Sequence, residues 1–286
     1  MSAREPLRGK ILVLGLGGSG YAAAEYCARH AAAGDPVTVV AVDEADTPAL
    51  RKTAACLRAL GVEVLCGTAE TSAADLAVAS PGIPPHSELM RSAREKAPEV
   101  VSEIEFAFRR SVSPWVAVTG TNGKTTTTSL VAHLLRDAGI AAEAVGNIGP
   151  AAIAAVDDAG PATVLVAEVS SFQLALVSTF RPKVSVLLNV TPDHVNWHGS
   201  LEAYAADKAR IFENQGPGDT AVVDVDDPGS ARYADGLAAQ GVAVRRVSVA
   251  GLPAGGAGVD GATLVLDTDT GPEPLCGIGD LLLRGS

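Results

Sequence analysis

The stretch Val116–Gly139, VAVTGTNGKTTTTSLVAHLLRDAG, decides how this chain is read. An apolar run leads into a Gly-rich turn, a Lys-Thr pair and a helical segment. The common phosphate-loop pattern, Gly-x-x-x-x-Gly-Lys-[Ser/Thr], places a glycine five residues before the second. Here that position is Val118, and the nearest upstream glycine is Gly120, three before Gly123. The mechanics survive the shorter spacing. Gly120 and Gly123 let the backbone curl so that successive amides form a nest for phosphate oxygens. Lys124 can reach β- and γ-phosphates, and Thr125 can offer its hydroxyl to Mg²⁺. Thr126 and the threonines after it suit a helix N-terminus, which favours anions. The chain has only six lysines, so one inside a Gly-rich turn is poorly explained as a generic surface charge. Gly120, Gly123, Lys124, Thr125 and Thr126 are therefore the expected phosphate contacts.

Upstream, a short apolar run ending at Leu14 precedes GLGGSG, an Ala-rich helical stretch and PVTVVAVD, which ends in Asp43. Strand, glycine turn, helix and an acid closing the next strand form the layout of a diphosphate-binding turn on a helix N-terminus. The layout does not separate NAD from a nucleotide-sugar diphosphate. LRALGVEVLCG and ADLAVASPGIPP read as a third β-α unit. Strands alternating with helices imply a parallel sheet with both faces covered. This Rossmann-like domain is expected over residues 1–112, with SVSP at Ser111–Pro114 as linker.

The second α/β series, over residues 113–286, reads as a P-loop-type ATPase domain. TVLVAE delivers Glu168 to a strand end, where a carboxylate can hold Mg²⁺. VSVLLNVTPDH repeats the plan and brings Asp193 and His194 to the same sheet edge; His194 could ligate a metal or transfer a proton. Taken alone, an acid at a strand end is as readily an exposed side chain, and a histidine in a loop more readily so. Lys208, in LEAYAADKARIFENQ, reads as a solvated helix lysine. TAVVDVDD and VAVRRVSVA read as strands, and LPAGGAGVDG as a mobile Gly/Ala loop.

A net charge of −11 argues against a nucleic-acid partner. No apolar run is long enough to span a bilayer. The N-terminus carries no signal pattern, and four scattered cysteines fit a reducing cytoplasm.

Taken together, these motifs resemble the Mur ligases, which build the peptide stem of peptidoglycan and carry the shorter glycine spacing as their own pattern. The likeness rests on GLGGSG with Asp43, SPGI (Ser80–Ile83), SEIE (Ser102–Glu105), TGTNGKTT, GNIG (Gly146–Gly149), EVSSFQL (Glu168–Leu174), NVTPDH (Asn189–His194), and WHGS before the helix carrying Lys208. The resemblance is strongest to the branch that joins D-glutamate to UDP-N-acetylmuramoyl-L-alanine, with Phe-Gln-Leu after the serine pair weighing against the branch that adds diaminopimelate or lysine.

The resemblance implies ATP-dependent ligation through an acyl phosphate, with two Mg²⁺ ions, in a cytoplasmic monomer. It assigns Thr125 and Glu168 to one ion, and His194 and a carboxylated Lys208 to the other. Gly120, Thr121, Asn122, Gly123, Lys124, Thr125 and Thr126 would hold the ATP phosphates, and Lys124, Glu168, His194 and Lys208 would carry the catalysis. Gly18, Ser19, Gly20, Asp43, Ser80, Pro81 and Gly82 would hold the UDP part, and Asn147, Ser170 and Gln173 the muramoyl-alanine end. Two positions depart from the family pattern: Asn196 stands where an acid is common, and Glu44-Ala45 follow Asp43 in place of Thr-Arg. LLLRGS resembles the strand before a third family domain. The chain is therefore expected to look truncated, to bind the UDP precursor, and not to ligate D-glutamate alone. A sibling ligase for another amino acid and a non-catalytic nucleotide-binding fragment remain as alternatives.

Overall fold

The computed structural model describes residues 5–281. Two sheets form in succession. The first has strands β1 (Gly9–Leu14), β2 (Val37–Asp43), β3 (Glu63–Cys66), β4 (Leu76–Ala79) and β5 (Val100–Ser102), in the order β3-β2-β1-β4-β5 and all parallel. Helices α1 (Gly18–Ala32), α2 (Pro48–Ala59), α3 (Glu88–Lys96) and α4 (Glu103–Arg110) accompany them. Both faces of this sheet are filled, as its nearly continuous apolar strands require. Residues 67–75 join β3 to β4 without a helix, so the third unit is shorter than the sequence suggests.

The second sheet starts at Trp115, after a break of four residues, and orders nine strands as β14-β13-β12-β11-β10-β9-β6-β8-β7. These are β6 (Trp115–Thr119), β7 (Ala142–Gly146), β8 (Val164–Glu168), β9 (Val184–Leu187), β10 (Thr220–Asp224), β11 (Ala243–Ser248), β12 (Ala257–Asp260), β13 (Thr263–Thr268) and β14 (Gly271–Gly277). The helices are α5 (Lys124–Asp137), α6 (Ala152–Ala155), α7 (Ser171–Leu174), α8 (Val195–His198), α9 (Leu201–Ala209), α10 (Pro228–Ala231) and α11 (Ala234–Ala239). Strands β6 to β12 run parallel, while β12, β13 and β14 form an antiparallel edge.

That edge corrects one expectation. LPAGGAGVDG is not a free loop, because its second half is β12. A Cβ on Gly256 would lie 2.0 Å from the Arg246 carbonyl oxygen, and one on Gly258 would lie 1.9 Å from that of Gly251. The small residues there serve close backbone packing rather than mobility. The segment Leu282–Ser286, read above as a further strand, lies outside the described residues.

The two sheets meet along a seam of packed rings and buried hydrogen bonds. Phe108 of α4 packs edge-on against Trp115 and Phe180, with centroids 6.0 and 5.3 Å away. Burying an aromatic ring of this kind contributes about 1.5–3 kcal/mol. Glu105, fully buried, accepts from Ser178 N, Thr179 N, Thr179 Oγ1, Phe180 N and Arg109 Nε. Burial opposes its ionisation, but the Thr179 and Arg109 donors and the Ser178 and Thr179 amides outweigh that and hold its carboxyl below the usual range. These contacts tie α4 to Trp115 and to residues 178–180 of the second part of the chain.

Candidate functional site

The glycine turn after β6 is shaped from outside itself. Gly120 and Gly123 have φ of 155° and 82°, values that a residue with a Cβ rarely adopts. A Cβ at Gly120 would also meet Leu188 Cβ at 2.9 Å. Asn189, just beyond β9, accepts from Thr121 N at 3.1 Å and Asn122 N at 2.9 Å, and donates back to Asn122 O. Those two amides are therefore occupied. The amides of Lys124, Thr125 and Thr126 open α5 and have no intrahelical partner. Asn189 holds the turn so that this helix start faces outward, a role that the sequence did not reveal beyond its place in NVTPDH.

Two lysines converge on the turn. Lys124 Nζ donates to Gly120 O and Thr121 O at 3.0 and 2.9 Å. Lys208 Nζ donates to Gly120 O at 2.7 Å from across the site. The reading of Lys208 as a solvated helix residue is overturned, since it is 1% exposed. Its amine lies over the Tyr204 ring, 4.5 Å from the centroid. Burial, reinforced by the neighbouring Lys124 charge and opposed by Asp193, pulls its pKa down to about 7.

Glu168, at the end of β8, is 2% exposed. Its Oε2 accepts from Thr125 Oγ1 at 2.7 Å, and its Oε1 accepts from Asn147 Nδ2 at 2.7 Å. The backbone N–H of Asn147 also donates to Glu168 O. GNIG, TGTNGKTT and EVSS thus meet at one carboxylate. Next to it, Ser170 and Gln173 form a capping box on α7, each side chain engaged with the other.

His194 stands apart from Glu168's bonds. Among the described residues it is the one non-glycine with positive φ, at 49°. Its ring is half exposed, 3.4 Å from Asp193 Oδ2 and 4.8 Å from the Phe172 centroid. Backbone strain of this kind concentrates at functional sites. No three His, Cys, Asp or Glu side chains among the described residues are placed to hold a metal. The oxygens of Thr125 and Glu168 nevertheless fit a hard cation that keeps most of its other ligands as water or phosphate.

The sequence also gave no reason to single out His198. It is enclosed, with Nδ1 2.6 Å from Asp207 Oδ2 and Nε2 3.0 Å from Ser171 Oγ. Burial lowers its pKa against the opposing pull of Asp207.

The first glycine turn is built differently. Asp43 accepts from Leu16 N at 2.8 Å and Ala45 N at 2.9 Å, so its carboxylate fastens the turn from below. Ser80 Oγ donates to Gly15 O at 3.3 Å. A Cβ on Gly20 would lie 1.9 Å from that same oxygen. Gly18, Ser19 and Gly20 open α1, whose cap Gly17 supplies no side chain. Pro81 and Gly82 continue from Ser80 in a turn beside it.

The chain resembles known proteins in sequence and in fold. Residues 118–255 match the Mur ligase middle domain. A UDP-N-acetylmuramoylalanine--D-glutamate ligase of Pelotomaculum thermopropionicum is 46% identical over 233 residues, covering 80% of this chain and 50% of the relative. One of the same name from Salinibacter ruber is 43% identical over 294 residues, covering 100% of this chain and 62% of the relative. The chain thus spans half to about three-fifths of the length of these relatives. Among solved structures, the UDP-N-acetylmuramate:L-alanyl-gamma-D-glutamyl-meso-diaminopimelate ligase of Neisseria meningitides superposes with a TM-score of 0.55 at 19% identity, over 91% of this chain and 85% of that one. That likeness concerns the fold.

Proposed function

Because this chain belongs to the Mur ligase family, we propose that it supplies the UDP-precursor-binding and ATP-binding parts of a ligase joining D-glutamate to UDP-N-acetylmuramoyl-L-alanine. The observation that carries the reading is the junction at Glu168, where three separated motifs meet beside the phosphate loop. The names of the two curated relatives support the choice of D-glutamate. In this reading residues 1–112 hold the UDP part and residues 113–286 bind ATP.

A carboxylate is a poor electrophile, and transfer of the ATP γ-phosphoryl group to it supplies a leaving group. The amine of D-glutamate then attacks the acyl phosphate, and collapse of the tetrahedral adduct yields an amide and phosphate. The first-turn amides of α5 receive phosphate oxygens. Lys124 turns from its loop carbonyls to the phosphates. Thr125 and Glu168 would hold one Mg²⁺, and His194 and Lys208 a second. When bound, these ions offset the charge that gathers on the transferring phosphoryl group.

As an ammonium group, Lys208 cannot ligate a cation. A pKa near 7 leaves much of it as the free amine at neutral pH. Its lone pair can add to CO₂ with loss of one proton, giving a carbamate whose oxygens suit Mg²⁺. Asn147, Ser170 and Gln173 would line the muramoyl-alanine end. Gly18–Gly20, Asp43 and Ser80–Gly82 would hold the UDP part, Asp43 through the turn that its carboxylate fastens. No helix among the described residues is long and apolar enough to cross a membrane. We place the protein in the cytoplasm as a monomer, where ATP and the UDP-linked precursor meet.

Calorimetric titration tests the reading. Saturable binding of UDP-N-acetylmuramoyl-L-alanine, with no response to NAD, is expected. Binding of NAD with no response to the UDP compound would overturn it.

A further inference from the structure

His198 closes α8 and sits in an aromatic enclosure. Phe172 lies nearly parallel to it, with centroids 5.5 Å apart and planes 11° apart, and Tyr204 meets it edge-on at 5.1 Å. Its hydrogen bonds assign the tautomer of the neutral ring, the form that burial favours. A carboxylate only accepts, so Nδ1 carries the proton and donates to Asp207 Oδ2. Nε2 is then bare and accepts the Ser171 hydroxyl proton.

The two partners of His198 lie in telling places. Ser171 begins α7, three residues beyond Glu168, and Asp207 immediately precedes Lys208 on α9. One enclosed imidazole therefore joins the strand end that carries Glu168 to the helix turn that carries Lys208. Ser171, His198 and Asp207 copy the connectivity of a hydrolytic triad. Ser171, however, is 2% exposed, so no acyl group reaches its oxygen. The arrangement is a strut rather than a nucleophile.

We propose that His198 is a positioning residue that bridges Ser171 and Asp207 and so holds Lys208 and Glu168 in fixed register about the phosphate loop. The proposal rests on the ligase reading for its purpose, but its geometry can be tested separately. Partners that orient a metal-binding side chain through a second hydrogen bond act in this way, and their loss weakens metal binding even where the ligand itself is untouched.

The test compares the 286-residue chain with His198→Ala, His198→Asn and Ser171→Ala. The first readout is the rate at which an amine-directed reagent modifies Lys208, followed by peptide mass spectrometry, with exposed Lys52 as internal reference. The second is Mn²⁺ affinity in the presence of ADP. For His198→Ala, Lys208 modification should rise about tenfold relative to Lys52, since the buried amine is released to local opening. Mn²⁺ affinity should fall about tenfold. His198→Asn retains a donor towards Asp207 and should restore most of both, a rescue that general loss of packing would not give.

Native protection of Lys208 and native Mn²⁺ affinity in a folded His198→Ala would overturn the proposal. If that variant does not fold, Ser171→Ala decides, and unchanged values there would overturn it equally. Failure of the native chain to bind Mn²⁺ with ADP would sink the ligase reading, while the Lys208 protection arm would still test the strut.

Discussion

The two glycine turns of this molecule look alike in sequence and are built on opposite plans. After β1, the turn is finished by backbone and one acid: Asp43 grips Leu16 and Ala45 from below, and Gly20 packs against Gly15. It presents a helix start and little side-chain chemistry. After β6, the turn is held open by Asn189, and two lysines and Glu168 converge on it from separate elements. The first plan suits recognition of a diphosphate that is not altered. The second suits a phosphoryl group that moves, because cations and hydroxyls can be redirected during transfer.

The largest expected effect breaks this pair apart. Lys124→Ala should weaken ATP binding by about a hundredfold, the ~3 kcal/mol that a charge-assisted contact can contribute. Binding of the UDP precursor should stay within about twofold of native, since sites without shared partners behave nearly additively. Parallel calorimetry with both ligands measures this. An equal loss of both would mean that the two turns do not act as separate sites.

What the sequence made legible follows the same contrast. Both turns, the strands before them and Glu168 were readable because local chemistry marks them: glycines with a fixed offset, an apolar run, an acid at its end. Lys208 was not, because nothing in LEAYAADKA distinguishes an inward lysine from an outward one, and only family likeness pointed to it. Its burial depends on β6 and α9 meeting, which is a tertiary fact. Asn189 and His198 were missed for the same reason, since their partners lie 67–68 and up to 27 residues away. In LPAGGAGVDG the local reading misled, because glycine marks close approach as often as freedom.

A second prediction concerns the seam that keeps the two turns in one body. Glu103 and Glu105 are both buried, two residues apart on α4. Glu105 is ringed by donors, whereas Glu103 accepts only from Ile153 N and its Oε2 has no partner. Burial pushes its pKa up from 4.5 to about 7. A carboxyl raised in the folded state binds a proton that the unfolded chain has released. The stability it contributes is complete below pH 4.5 and lost as pH rises through about 7. Glu103→Gln, which keeps the acceptor and stays neutral, should therefore match native stability near pH 4.5. By pH 8 it should exceed it by about 3 kcal/mol. Denaturant unfolding at both pH values measures this, and a constant difference between them would show that Glu103 is ionised within the fold.

The smallest effect sharpens the reading of the first turn. If that turn recognises its ligand through backbone packed to closure, its glycines are not equivalent. A methyl at Gly17 would meet nothing within 4 Å, whereas one at Gly20 would meet the Gly15 carbonyl oxygen at 1.9 Å. Gly20→Ala gains helix propensity but must push that carbonyl aside. A net loss of about 1 kcal/mol is expected, within the range for overpacked sites. Because the displaced oxygen belongs to the turn, UDP-precursor binding should weaken with it, while ATP binding holds. Gly17→Ala should leave both unchanged. Thermal unfolding and the same pair of titrations distinguish these outcomes. If Gly17→Ala weakened the precursor as much as Gly20→Ala, the ligand would be pressing on the open side of the turn, and recognition there would be set by access to the backbone rather than by its packing.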